Sequence, residues 1–406
     1  MADSALSTTD LETSFKALVA CLDELDNGQL SLSRISGDAD DEGPHPTYDS
    51  LLTPIEATAV EPTPNTEESR SCAVCEAHTE RCCKACSHAS LLSKHVQKRT
   101  YYCSKPCQEA HWQDHKASCK NIRNLLDRQS LSRAVQFLQR SFYIYREAAF
   151  DLSIKSINFQ GNTVVIHEGP YVDNEILPGF PHDLVKSQKP EVKNMLLTMM
   201  SCSDMFIQIE KLCALLLKDT KYVKKIEELA VVVGHGPLNW HFHRHQGLFK
   251  SEHFPHTAYR VTLRDQSKWA IDLTAAQYGY AANLLPWKKY EQTRLRRILS
   301  ISSFGTSSIQ AAAVHTPGGL TPFGLVNELS TAIWHAQREI GKALEMDVIN
   351  GLKGRGLTAD ILLAALPDGE CATEMLYVLA AGKYAMEEFK KYVQQNTAKL
   401  FKEHMA

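Results

Sequence analysis

The sequence predicts a multidomain α+β protein: a disordered acidic N-terminal tail, a small cysteine- and histidine-rich module, and a mixed α/β body with a helical C-terminal part. Three observations predict it. At 406 residues the chain is too long for a single core, and a prior of about 150 residues per domain gives two or three domains. Eight of the twelve cysteines fall between Cys72 and Cys119, in a stretch with too few apolar residues to fold by burial. From about residue 125 the composition becomes that of an ordinary globular domain, with helical and strand-like periodicities in succession. The expected organisation is therefore 1–70 tail, 71–120 module, 125–290 α/β domain and 291–406 helical region.

The tail carries fifteen Asp or Glu against three basic residues, Lys16, Arg34 and Arg70, with frequent Ser, Thr and Pro from position 30. Such a composition buries too little apolar surface to offset the entropy of ordering. Leu11, Phe15, Leu18, Val19, Leu22 and Leu25 stand apart, because spacings of three and four set them on one face of a short helix at 10–27. That helix can dock on a partner or on this protein's own body.

Overall, 44% hydrophobic and 22% charged residues exclude collagen-like, wholly disordered and membrane-embedded chains. No apolar run reaches the roughly 18 residues of a membrane span. Residues 1–10 show no basic patch followed by an apolar stretch, so an intracellular location, nuclear or cytoplasmic, is expected. In a reducing compartment clustered cysteines bind metal rather than pair.

The cluster reads Cys72-x2-Cys75, Cys83-x2-Cys86, Cys103-x3-Cys107 and His115-x3-Cys119. Each pair supplies two corners of a tetrahedral site, the first two from tight turns and the last two from successive turns of short helices. Eight ligands make two closed sites for structural Zn2+, each contributing on the order of 10 kcal/mol to a fold that lacks a core. Cys82 adjoins Cys83, but only Cys83 has the x2 spacing to Cys86.

The second half is more specific than its spacing. Tyr102-Cys103-Ser104-Lys105-Pro106-Cys107-Gln108, then Trp112, then His115-Lys116-Ala117-Ser118-Cys119, closely resembles the MYND zinc-finger signature Y-C-S-x2-C-Q-x3-W-x2-H-K-x2-C. The resemblance covers about 48 of 406 residues. It implies interleaved binding, with Cys72, Cys75, Cys103 and Cys107 on one zinc and Cys83, Cys86, His115 and Cys119 on the other. It further implies protein partners with short proline-containing segments, received by Gln108 and Trp112. Trp112 as the small core of the finger is the competing role. The gap from Cys86 to Cys103 is longer than the family's, and its His88 and His95 are read as loop residues. Nine Lys or Arg against four acids in 71–123 do not indicate nucleic acid, since neither aromatic interleaving nor a base-reading helix accompanies them.

In the body, a helical stretch runs to Phe150, a hairpin over 154–167 turns at Gly161-Asn162, and a long helix spans roughly 192–218. Strand-like runs follow at 226–233, 258–264 and 268–273. From Trp287 the chain reads as mostly helical, with breaks at Pro317-Gly318-Gly319, at 351–356 and at Pro367-Asp368-Gly369. Lysine methyltransferases of the SET type are associated with the same finger, but no Asn-His-Ser-Cys-like or Gly-Glu-Glu-Leu-like segment occurs in 125–406.

A different layout is present. His256-Thr-Ala-Tyr259-Arg-Val261 followed by Trp269-Ala-Ile-Asp272-Leu-Thr274 resembles the His and Asp strands of transglutaminase-like and papain-like folds, in which a cysteine at a helix start is the nucleophile. Cys202 is the cysteine so placed. Amides at a helix start favour thiolate, a strand histidine takes the proton, and a carboxylate fixes the imidazole. Against activation, the apolar run 195–200 sets Cys202 inside a helix already under way. His241, His243 and His245 alternate as strand metal ligands would, yet Gly234, Gly236 and Pro237 favour a solvated loop. Gly351, Gly354 and Gly356 match no phosphate-binding motif and mark a helix connection.

Two functions are consistent with these features. One is an interaction adaptor or regulator whose zinc finger binds proline-containing peptides; the other is a cysteine-dependent hydrolase or acyltransferase using Cys202, His256 and Asp272, targeted by the finger.

Overall fold

The computed structural model describes residues 70–92, 99–170, 177–315, 320–321, 324–325 and 328–405. The acidic tail, its 10–27 helix and His95 lie outside them.

The finger begins with two knuckles. Around Cys72 the chain folds back on itself through Glu76 N–H to the Cys72 carbonyl (3.0 Å) and Cys72 N–H to the Ala77 carbonyl (2.9 Å), with Glu76 in the left-handed region at φ 60°. Cys86 closes the second knuckle on the Cys83 carbonyl at 2.9 Å. Helix α1 (Lys105–Ala110) follows, capped by Ser104, whose hydroxyl accepts from Cys107 N–H, with Pro106 in its first turn. Helix α2 (Trp112–Ala148) then runs for 37 residues out of the finger and through the body. The last ligand pair therefore rides the start of a long helix, where a short one was expected.

Strands β1 (Ile154–Gln160) and β2 (Thr163–Glu168) form the expected antiparallel hairpin, Gly161 supplying the positive φ of 62° its turn requires. With β4 (Asn239–Arg244) and β5 (Gly247–Lys250) they make a four-stranded sheet in the order β1-β2-β4-β5, parallel between β2 and β4. His241 and His243 thus lie on a strand rather than in the expected loop: β4 pairs with β2 from Asn239 to His243, and the glycines precede it.

The expected helix over 192–218 is broken. Helix α3 (Pro190–Thr198) ends where Met200 takes φ 57°, and α4 (Asp204–Ile207) restarts beyond it. Thr198 and Ser201 hydroxyls donate to the carbonyls of Asn194 (2.8 Å) and Thr198 (2.9 Å), competing with helix propagation at the break.

The second sheet is antiparallel, in the order β8-β7-β6-β3-β9: β3 (Val223–Val233), β6 (His256–Leu263), β7 (Lys268–Ile271), β8 (Leu284–Pro286) and β9 (Leu295–Ser303). Strand β9 corrects the reading of a mostly helical chain from Trp287, because its full length pairs with β3 between Val233 and Glu227. Helices α5 (Glu328–Gly354) and α6 (Asp368–Met405) complete the body as a packed antiparallel pair.

One core joins these parts. Phe137, Phe142 and Tyr145 of α2 pack with Leu196, Phe206, Tyr259, Val261 and, from α5, Ile340 and Leu344. A smaller cluster, Leu229, Val231, Ala258, Leu285, Trp287 and Tyr290, fills the other face of the second sheet. No helix among the described residues is long and apolar enough to cross a membrane.

Candidate functional sites

The first site is the metal-ligand cluster of the finger. Two groups of donors converge, each with all ligand atoms within 4.8 Å of one another: Cys72, Cys75, Cys103 and Cys107, and Cys83, Cys86, His115 and Cys119. In the first, Cys75 Sγ lies 3.4 Å from Cys103 Sγ, Cys103 Sγ 3.6 Å from Cys107 Sγ, and Cys107 Sγ 4.0 Å from Cys75 Sγ. In the second, Cys83 and Cys119 sulfurs are 3.8 Å apart and Cys86 Sγ is 3.4 Å from His115 Nε2. A tetrahedral ion with metal–sulfur bonds of about 2.3 Å sets its sulfurs about 3.8 Å apart, whereas a disulfide would draw two to about 2 Å. The donor sets fit a metal ion and contain no disulfide geometry.

Local structure explains the spacing. His115 and Cys119 project from successive turns of α2, and Ile122 continues that face into the finger's small core with Tyr102 and Ala89. His115 offers Nε2 to the cluster while Nδ1 faces Thr100 Oγ1 at 3.3 Å, an oxygen able to accept from Nδ1–H when Nε2 serves as a ligand. Cys82 stays outside both groups and instead bridges to Tyr101. All four positions of each group are protein donors, which leaves no open place for catalysis.

Trp112 is 44% exposed, so it is not the core of the finger; Tyr102, Ala89 and Ile122 fill that place. Its ring meets the edge of His115 at 6.3 Å. Gln108 is half-buried on α1, one turn earlier. His88 binds no ligand group; its Nδ1 contacts the Ala364 carbonyl at 3.1 Å, and Gln129 Nε2 donates to the Leu91 carbonyl at 2.9 Å. Part of the long gap between Cys86 and Cys103 therefore seats the finger on the body.

The second site lies at the start of β6. Register places its parts: Tyr259 pairs with Ile271, and one residue further along β7 Asp272 comes level with Ala258, two residues from His256. His256 Nε2 is 2.9 Å from Asp272 Oδ1, with both side chains buried. The contact is an ion pair rather than a well-aligned hydrogen bond, since Nε2 has no partner of good hydrogen-bond geometry. Burial opposes a charge on His256, but Asp272 outweighs it and pushes the imidazole up to about 10. Tyr278 closes one side edge-on at 5.1 Å, and Asp272 accepts in addition from Thr274 N–H at 3.2 Å.

Cys202 is brought to the same place. The break at Met200 puts it two residues before α4, not inside a helix, and half-buried. Arg146 braces this loop from α2: Nε donates to the Leu197 carbonyl (3.0 Å), one Nη to Asp204 (3.1 Å) and the other to Asp151 (3.1 Å). From the other side Thr257 donates to the Cys202 carbonyl at 2.5 Å. The sulfur is close enough to favour the charge on His256, by hydrogen bonding and by its own charge, and it also contacts the Pro255 carbonyl at 3.7 Å. Sequence reasoning missed Gln277, whose Nε2 lies 3.0 Å from His256 Nδ1. It sits on the 3-10 turn Ala275–Tyr278, where no periodicity points to it.

His243, by contrast, only stacks on His167 at 4.8 Å, and among the described residues the histidines of β4 join no third ligand group.

Comparison with protein-family models, with curated proteins and with solved structures returns no match to this chain.

Proposed function

We propose that this chain is a zinc-finger interaction protein of the MYND type, an adaptor or regulator working in a reducing compartment, nucleus or cytoplasm. Two structural Zn2+ ions are held by Cys72, Cys75, Cys103 and Cys107 and by Cys83, Cys86, His115 and Cys119. The observation that carries this reading is the convergence of both four-donor groups at the spacing of tetrahedral coordination. Zinc supplies cohesion and no chemistry; the residues that meet a partner are Gln108 and Trp112, against which a proline-containing segment stacks at low entropic cost. The exposure of Trp112 supports that role. Fluorescence anisotropy with a panel of labelled proline-containing decapeptides tests it. Binding by the zinc-loaded chain and its loss, tenfold or more, in Trp112→Ala is the expected result; no binding to any peptide, or equal binding by the variant, sinks the assignment.

A second reading is favoured by a separate observation, the approach of Cys202, His256 and Asp272 at one strand end. In it the body is a cysteine-dependent hydrolase or acyltransferase: Cys202 is the nucleophile, His256 takes its proton, Asp272 holds the imidazole, and the finger selects the target. Iodoacetamide labelling followed by peptide mass spectrometry separates the readings. Reaction of Cys202 faster than Cys213 and Cys371, abolished by His256→Ala, supports the enzyme. Labelling of Cys202 that ignores His256 leaves the interaction protein alone.

A further inference from the structure

The thiol site contains one side chain with no part in the scheme above. An imidazole Nδ1 has one position to give, either a lone pair or a hydrogen. Here Gln277 already occupies it, at 3.0 Å. With the amide nitrogen toward the ring, His256 is neutral and carries its proton on Nε2; with the amide reversed, the ring is the imidazolium and donates to the oxygen. In either orientation Nδ1 is taken, and the Cys202 sulfur, within reach of the ring, directs a hydrogen bond to the Pro255 carbonyl.

Gln277 is not there by slack packing. It is 3% exposed, on a turn stopped by Gly279 at φ 79°. A side chain at Gly279 would come within 2.7 Å of Leu238 N, and Leu238 N–H donates to the Tyr278 carbonyl at 3.1 Å. The turn is clamped to the segment before β4, so Gln277 can leave Nδ1 only by changing its own rotamer. The titratable groups facing the ring are Cys202, Asp272 and Tyr278, with Tyr290 beside Asp272.

We infer that Gln277 is a positioning residue that competes with the Cys202 thiol for Nδ1 of His256 and so restrains the thiol. When the amide withdraws, a neutral ring takes the thiol's proton, the S–H bond breaking as an N–H bond forms at Nδ1, and a ring already protonated keeps its own hydrogen while the thiol's proton passes to water; either way the thiolate is left beside an imidazolium, the pairing that lowers a cysteine's pKa. The inference rests on the second reading of the body and deepens it.

The test is the rate of Cys202 alkylation by iodoacetamide between pH 5 and 9, in which the thiolate displaces iodide to form a thioether. It uses the zinc-loaded full chain, Gln277→Ala, and Gln277→Met, which keeps the volume without the amide. The expected result is a rate at pH 7 at least tenfold above wild type in both variants, with the midpoint at least one pH unit lower, and loss of both effects when His256→Ala is added. Rates and profiles like wild type in folded variants overturn the inference, and if wild-type labelling still depends on His256 the thiol site itself survives. Acceleration independent of His256 overturns both, as mere opening of the site. Whether or not the variants fold, a 15N spectrum of labelled His256 in the unaltered chain that shows no hydrogen bond at Nδ1 overturns it as well.

Discussion

The finger and the body solve the same problem with different materials. In the finger the buried cluster is Cys83, Cys86, Ala89, Tyr102, Cys119 and Ile122, so half of what is buried is metal ligand. In the body the cluster spans α2, both large sheets and α5 and α6, built from Phe, Leu, Val and Met. Burying apolar area yields about 25 cal/mol per Å2, and the finger has little area to bury. On the proposed reading its cohesion is conditional on the ions its donor groups would hold, while that of the body rests on buried apolar side chains.

The largest way to break this comparison is to remove the metal. Chelation, or Cys86→Ser, is expected to withdraw on the order of 10 kcal/mol per site from the finger. Amide-hydrogen exchange should then show lost protection over 71–121 and retained protection in β3, β6 and β9. Loss in both regions would mean that the two fold as one unit, and retention of both metal equivalents in Cys86→Ser would refute its place as a ligand.

The converse experiment strikes the body alone. Arg146 is buried with Asp151 and Asp204 around it, and Arg146→Met leaves two carboxylates without their cation. Breaking such a pair costs about 3–5 kcal/mol. The urea midpoint of the body should fall accordingly, with zinc content unchanged.

Acidity divides the regions in opposite directions. His256 is raised in the folded body to about 10 from 6.5, because Asp272 outweighs the burial that opposes its charge. Its contribution is complete below pH 6.5 and is lost as pH rises from 6.5 through 10. The finger needs deprotonated cysteines and a neutral His115, so acid loosens it. Denaturant unfolding followed separately by metal release and by body fluorescence should show these opposite slopes, and His256→Gln should flatten the alkaline one.

The smallest effect sharpens where the finger's surface ends and its core begins. Trp112→Ala should change finger stability by less than about 1 kcal/mol, since the ring is largely in water, whereas Ile122→Ala should cost about 2–5 kcal/mol. Comparable losses by thermal melting would return Trp112 to the core.

How much of this was legible in the sequence follows the same division. Metal ligands announce themselves by type and spacing, while their interleaved division into two groups was implied by the resemblance to the MYND signature; the same two sets of side chains converge in the structure. The hairpin at Gly161-Asn162 and the strands carrying His256 and Asp272 were visible in alternation and turn residues. The helix break at Met200 was not, because no glycine or proline marks it and a non-glycine residue adopts φ 57° there. Strand β9 was missed although Leu295, Ile298 and Ile301 lie in it, since threefold spacing reads as helix until β3 is present to pair with it. Gln277 carries no spacing signal at all; its place depends on a turn clamped by a distant segment.

The 37 residues of α2 carry one more consequence. At 1.5 Å and 100° per residue the helix is a rod about 55 Å long whose two ends hold a fixed phase. Deleting Asn124 would swing the finger through about 100° about that axis and tear His88 from the Ala364 carbonyl, while every ligand and every core residue kept its neighbours in the chain. The direction in which Trp112 faces is thus set by counting residues along a shaft, as the angle of a key is set by its stem.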